Sequence, residues 1–268
     1  MAGLSRSGWR SAGRSGAGPA GWLTPDWPAP PTVRTLCTTR EGGVSAAPWD
    51  SFNLGDHVGD DLAAVQANRT LLAGALGAQP VFLQQVHGTG VVALQSGTPD
   101  GTQADGCVTN QRGVACTIMV ADCLPVLLCD AGGRAVAAAH AGWRGLAGGI
   151  LEAAHARLLD SVDAAAPQVM AWLGPCIGPG AFEVGLDVKA AFEARDPQAY
   201  RHFAPGMPGR WLADLPGLAR RRLQALGVTR IHGNDGSAPW CTVGNPSRFF
   251  SHRRDRISGR FAACIWLE

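Results

Sequence analysis

Between residues 80 and 139 the chain carries apolar, β-branched runs at 80–86, 90–94, 104–109, 114–120, 124–129 and 134–139, with no helical pattern between them. Parallel neighbours need a crossover of about a dozen residues, usually a helix, so this stretch cannot be a uniform βαβ series. It demands a mixed sheet with antiparallel pairs. Further strands are expected at 33–38, 168–173, 229–232 and 262–267. Helices are expected where apolar residues share one face: Leu62, Val65, Leu72 and Leu76 behind Asp60 and Asp61, then Leu146, Ile150, Ala154 and Leu158, then Asp214 through Leu226. No repeat and no linker after residue 31 divides the sequence. The expectation is one compact α/β (α+β) domain in which mixed sheets are packed with helices.

Composition narrows the function. Hydrophobic residues make up 46% and charged residues 16%, the balance of a folded chain. Asp122 and Pro125 interrupt the richest apolar stretch, so no segment is long enough to span a bilayer. The formal charge is +2, which supplies no global attraction to nucleic acid. Lys189 is the sole lysine and lies outside any G-x-x-x-x-G-K context, excluding a P-loop NTPase and disfavouring Schiff-base chemistry. The eight cysteines are dispersed, several of them in apolar runs, and form no C-x2-C pair. They read as small buried hydrophobes of a cytoplasmic protein. Residues 1–21 hold Arg6, Arg10 and Arg14 among Gly, Ser and Ala, and lack the apolar core of a secretory signal. They read as a disordered extension, from an upstream start codon or as a transit-like leader, whose removal leaves stability unchanged. Residues 22–268 are expected to form a single domain.

Chemistry concentrates in three segments. From Arg134 a strand leads through HAGWRGLAGG into an amphipathic helix; a helix start with Arg144 beside it suits an anion, and His140 ends the strand. The same glycines equally suit a tight turn with His140 and Trp143 as packing residues. In VFLQQVHGTG, His87 precedes a glycine-rich turn. In IMVADCLPVLLC, Asp122, Cys123 and Pro125 break an apolar run, and a carboxylate there needs a partner. Singly, His87 and Cys123 are more often core residues than ligands. The separations of 36 and 17 residues from His87 to Cys123 to His140 match no local metal motif. Only convergence in three dimensions can make them a site.

QQVHG, ADC-x-P and HAGWRG, in that order, resemble the signature segments of the laccase-domain (multicopper polyphenol oxidase) family, also called the peptidoglycan editing factor family, with purine nucleoside phosphorylase members. The resemblance continues in TTREGGVS (38–45), NLGDHVGDD (53–61), WLGPCIGPGAFEVG (172–185) and FFSHRRD (249–255), and so covers roughly residues 22–268. It implies an α/β sandwich and one zinc, or copper, on His87, Cys123 and His140. It implies phosphorolysis of adenosine, inosine and methylthioadenosine to free base and ribose 1-phosphate, with adenosine deamination as a side reaction. Arg40 and Arg144 are the expected phosphate clamps and catalytic residues alongside Asp122 and Cys123, and Cys176 is expected at the substrate. Asp122, Cys176 and His252 all remain candidates for the general acid. The expected partners are purine nucleoside and phosphate, with no nucleic acid, membrane or obligate protein partner. Two other functions compete. A copper laccase needs several histidine pairs, and the chain has seven histidines with no H-x-H; a peptidoglycan-precursor editing role has no direct signal in the residues.

Overall fold

The computed structural model describes residues 9–11, 19, 21–164 and 168–268. Its strands and helices run in the order β1 (Trp9–Ser11), β2 (Leu23–Pro25), β3 (Val33–Cys37), α1 (Leu62–Leu76), β4 (Gln79–Phe82), β5 (Val91–Ala93), β6 (Gly106–Thr109), β7 (Val114–Val120), β8 (Leu124–Asp130) and β9 (Val136–Ala141). There follow α2 (Trp143–Gly148), α3 (Ile150–Asp160), β10 (Val169–Leu173), β11 (Glu183–Val184), α4 (Leu186–Glu193), β12 (Phe203–Pro205), β13 (Trp211–Ala213), α5 (Leu215–Ala225), β14 (Arg230–Gly233), α6 (His252–Asp255) and β15 (Phe261–Leu267).

The apolar runs are continuous because their strands are covered on both faces. In β15, Phe261, Ala263, Ile265 and Leu267 enter one core, whereas Ala262, Cys264 and Trp266 enter another with Leu72 and Leu76 of α1. In β8, Leu127 and Cys129 join the first of these cores, and Leu124, Val126 and Leu128 face a third with Ile150, Leu151, Ala154 and Leu158 of α3. Two sheets therefore pack face to face, one ordered β1-β2-β3-β15-β7-β4 and the other β14-β10-β8-β9-β6-β5. Helix α1 covers the outside of the first, and α2, α3 and α5 cover the outside of the second. A small sheet, β11-β13-β12, completes the fold.

Pairing is mixed, as the clustered strands require. β8 and β9 are antiparallel, with Pro125 opposite His140, whereas β4 runs parallel to β7 and β5 to β6. Asp61 caps α1 by accepting from the Ala63 N–H, and Asp214 caps α5 by accepting from the Gly217 N–H. The helix expected across Leu146 to Leu158 is divided. It begins at Trp143 and breaks at Gly149, whose φ of 108° ends α2 and opens α3. Within the expected N-terminal extension, β1 pairs antiparallel with β2, and Trp9 is buried edge-on against Trp240 with ring centroids 4.1 Å apart. Trp9 is the one aromatic residue in this otherwise Gly-, Ser- and Arg-rich segment; residues 1–8, 12–18 and 20 lie outside the described residues. Among the described residues, no helix is long and apolar enough to cross a membrane.

Candidate metal centre

His87 stands in the loop after β4, Cys123 in the turn joining β7 to β8, and His140 near the end of β9. The sheet register brings them together: one donor atom from each lies within 4.8 Å of the other two. Cys123 Sγ is 3.7 Å from His87 Nε2, and the two imidazole rings meet edge-on with centroids 4.8 Å apart. His140 is buried, Cys123 half-buried and His87 exposed.

The backbone carrying these donors is unusual at two positions. His87 has φ 61° and Asp122 φ 99°, left-handed conformations that non-glycine residues rarely adopt. Asp122 is held by its surroundings. Thr242 Oγ1 and the Arg253 N–H each donate to its carboxylate at 2.6 Å, and the Ile177 N–H donates to its carbonyl at 2.9 Å. Asp122 thus ties the β7–β8 turn to Ile177, Thr242 and Arg253 and sets the direction of Cys123. Opposite, Gly142 leaves the space the donors occupy, since a Cβ there would sit 2.9 Å from Cys123 Sγ and 2.9 Å from His87 Cδ2.

Beneath the cluster lies Asp105, fully buried. Its carboxylate accepts from the backbone N–H groups of Val86, His87 and Gly88 at 3.1, 2.8 and 2.7 Å and bonds His140 Nδ1 at 2.8 Å. Burial alone would raise its pKa, but the His140 contact and the backbone donors outweigh that and hold it below the usual carboxylate value. Burial likewise works against the Cys123 thiolate, yet the neighbouring His140 and His87 bring the thiol down to about 6. His140 moves the other way, to about 9; burial opposes its charge, and Cys123 and Asp105 prevail.

A cavity of about 370 Å³ opens over the cluster. His87, Asp122, Cys123, His140 and His252 line it, joined by His57, Phe182, Arg253, Arg256 and Arg260. Three of the expected site residues do not. Arg40 binds the Asp50 and Pro246 carbonyls at 2.9 and 3.0 Å and pairs with the Asp50 carboxylate, so its guanidinium braces a loop elsewhere on the surface. Arg144 is exposed and lies over the Trp143 ring, 4.3 Å from its centroid. Cys176 is fully buried, donates to the Ile177 carbonyl and accepts from Asn234 Nδ2 at 3.4 Å; burial pushes its thiol well up.

Sequence reasoning missed Asp105, His57, Arg256 and Arg260. Asp105 had a readable signal, an acid inside the apolar strand run at 104–109, of the kind that singled out Asp122. The arginines had none, because nothing local separates a cavity-facing guanidinium from a surface one.

The donor set suits a transition metal. Two imidazole nitrogens and a thiolate are the ligand types and number of a catalytic zinc site, with one position left for water or substrate. Among the described residues this is the one group of three or more such donors that could hold an ion.

Fold and site together define a mixed α/β sandwich built around a His–Cys–His candidate metal centre. The chain belongs to the multi-copper polyphenol oxidoreductase laccase family, whose profile matches residues 34–268. A Pseudomonas aeruginosa protein named purine nucleoside phosphorylase PA4543 is 51% identical over 248 residues, covering 92% of this chain and 98% of its own. The Escherichia coli purine nucleoside phosphorylase YfiH is 46% identical over 247 residues, covering 91% of this chain and 98% of its own. Among solved structures, Neisseria meningitidis protein NMB0706 superposes with a TM-score of 0.86 at 47% identity, over 92% of this chain and 99% of that one. YlmD from Geobacillus stearothermophilus gives 0.85 at 30% identity, over 98% of this chain and 99% of that one. The family resemblance and the fold class expected from the sequence are both borne out.

Proposed function

We propose that the chain is a zinc-dependent purine nucleoside phosphorylase of the cytoplasm, acting on adenosine, inosine and methylthioadenosine, with adenosine deamination as a side reaction. The relatives' names support the reaction class. The observation that carries the reading is that one cavity unites the three donor residues with Arg253, Arg256 and Arg260. A dianionic phosphate needs such a cationic wall, and an apolar patch at Ile177 and Phe182 suits a purine.

In this reading Arg256 and Arg260 hold phosphate. Arg256 is exposed at the mouth, and Arg260 spends Nη1 on the Ser258 and Gly259 carbonyls while Nη2 remains for an anion. The Arg253 guanidinium braces the wall through the Glu183 carbonyl. A phosphate oxygen bonds to the anomeric carbon as the glycosidic bond breaks, and the bonding pair leaves with the purine, which takes up a proton. His252 faces the cavity and supplies that proton. Asp122 already accepts two short hydrogen bonds and Cys176 lies outside the cavity, so neither takes that role. When bound to His87, Cys123 and His140, zinc supplies Lewis acidity and lowers the pKa of a water ligand, the chemistry that deamination requires. The same arginines make the phosphate route a matter of positioning and electrostatics.

The test is zinc-loaded protein incubated with inosine, with and without phosphate. Hypoxanthine and ribose 1-phosphate appearing only with phosphate is the expected result. Hypoxanthine release without phosphate, or oxygen uptake with a phenol and no base release, overturns the reading.

A further inference from the structure

One carboxylate touches two of the three metal-donor segments and does not line the cavity. Asp105 lies immediately before β6, and β6 runs antiparallel to β9 with Gly106 opposite Ala139. That register brings the Asp105 backbone to His140, whose N–H donates to the Asp105 carbonyl at 2.7 Å, and Oδ1 reaches the His140 ring at Nδ1. The other side of the carboxylate faces the loop of residues 86–88, where three consecutive backbone N–H groups converge on it. Successive N–H groups pointing at one anion form a concavity that a buried negative charge stabilises. His87 is the middle residue of this loop and sits at φ 61°.

We propose that Asp105 is the positioning residue of the metal centre: it holds the proton of His140 on Nδ1, leaving Nε2 as the donor, and locks the left-handed loop that aims His87 at the same point. This rests on reading His87, Cys123 and His140 as a metal centre. The reasoning is chemical. A neutral imidazole has one donor and one acceptor nitrogen, and the group bonded at one fixes the role of the other. A carboxylate accepts only, so His140 must present Nδ1–H to it. The three amide donors meanwhile need an acceptor with no hydrogens of its own. Asparagine has nearly the same shape, but its NH2 must oppose either the loop or His140. Asp105→Asn therefore disturbs one donor or the other while leaving the packing volume almost unchanged.

The experiment uses the full chain and Co2+ as probe. Three quantities are read on wild type and Asp105→Asn: Co2+ affinity by competition with a chromophoric chelator, the cobalt absorption spectrum including its thiolate charge-transfer band, and the melting temperature of the metal-free protein. The expected result is about 10- to 100-fold weaker Co2+ binding with an altered cobalt spectrum, in a variant that still melts cooperatively. Affinity within threefold of wild type and an unchanged spectrum, whatever the melting temperature, overturn the inference. A second measurement needs no variant. Nitrogen NMR of the metal-free wild type should find the neutral His140 ring carrying its proton on Nδ1. A neutral ring protonated at Nε2 overturns the assignment even if Asp105→Asn fails to fold. Wild-type protein that binds no Co2+ but carries the Nδ1–H ring instead overturns the metal-centre reading on which the proposal stands.

Discussion

Replacing Gly142 with alanine is expected to weaken metal binding without unfolding the protein. Its backbone, at φ −63° and ψ 158°, suits alanine, so the added methyl group acts through space alone. That Cβ would lie 2.9 Å from Cys123 Sγ and 2.9 Å from His87 Cδ2, whereas ordinary carbon contacts begin near ~3.5 Å. Both side chains must retreat by about 0.6 Å, several times the roughly 0.2 Å tolerance of a metal–ligand distance. Overpacking of this kind costs about 1–3 kcal/mol. Charged to metal binding at 1.4 kcal/mol per decade, it weakens affinity about 5- to 150-fold. In the metal-free protein His87 is exposed and can rotate away, so the melting temperature should move little. Chelator-competed zinc titration and metal-free thermal melts on one preparation measure both quantities. Zinc affinity within twofold of wild type would refute the argument that Gly142 is the space in which the donors converge.

Three further outcomes are expected. Arg256→Gln should raise KM for phosphate about 10- to 100-fold, the loss of a charge-assisted contact, whereas Arg144→Lys should change phosphorolysis less than about threefold because Arg144 lies over Trp143 outside the cavity. Steady-state kinetics at varied phosphate decide between them, and the reverse ordering returns the phosphate to the α2 terminus. In metal-free protein, alkylation of Cys123 by iodoacetamide should rise through about pH 6, since burial opposes the thiolate but His140 and His87 more than offset it, while Cys129 and Cys264, pushed up to about 12 chiefly by burial, stay unreactive at pH 8. Peptide mapping after pulse labelling reads this, and a Cys123 midpoint near 9 contradicts it. Trp9→Ala should lower the melting temperature by about 6–20 °C by removing the contact with Trp240, in contrast to the neutral truncation expected from composition; an unchanged melt refutes the packing of β1.

The strands β6 to β9 were legible because a strand buried on both faces must be largely apolar along its length, a constraint written in consecutive residues. Asp122 was legible for the same reason inverted: a carboxylate in such a run is costly unless bonded, and Thr242 and Arg253 bond it. The break at Gly149 was not, because Leu146, Ile150, Ala154 and Leu158 keep their spacing across it and all four are buried. The small sheet of β11, β12 and β13 escaped notice because segments of two or three residues carry no readable period.

By itself the sequence determined the mixed α/β class, the ends of α1 and α5 and, through the order of its segments, the family, and it offered three candidate donor residues. What surrounds those donors was decided by tertiary structure alone. Arg40 and Arg144 looked like anion clamps because a guanidinium beside a glycine-rich turn serves an anion or a carbonyl equally well, and only folding gave Arg40 the Asp50 and Pro246 carbonyls. Arg260 reaches the cavity because its backbone N–H bonds Asn53, 207 residues away, and Asp105 joins His87 to His140 across a sheet register. Periodicity and capping act over a few residues and are therefore written locally. A site is made by contacts between distant segments, whose meeting is settled only when strands choose their partners and register.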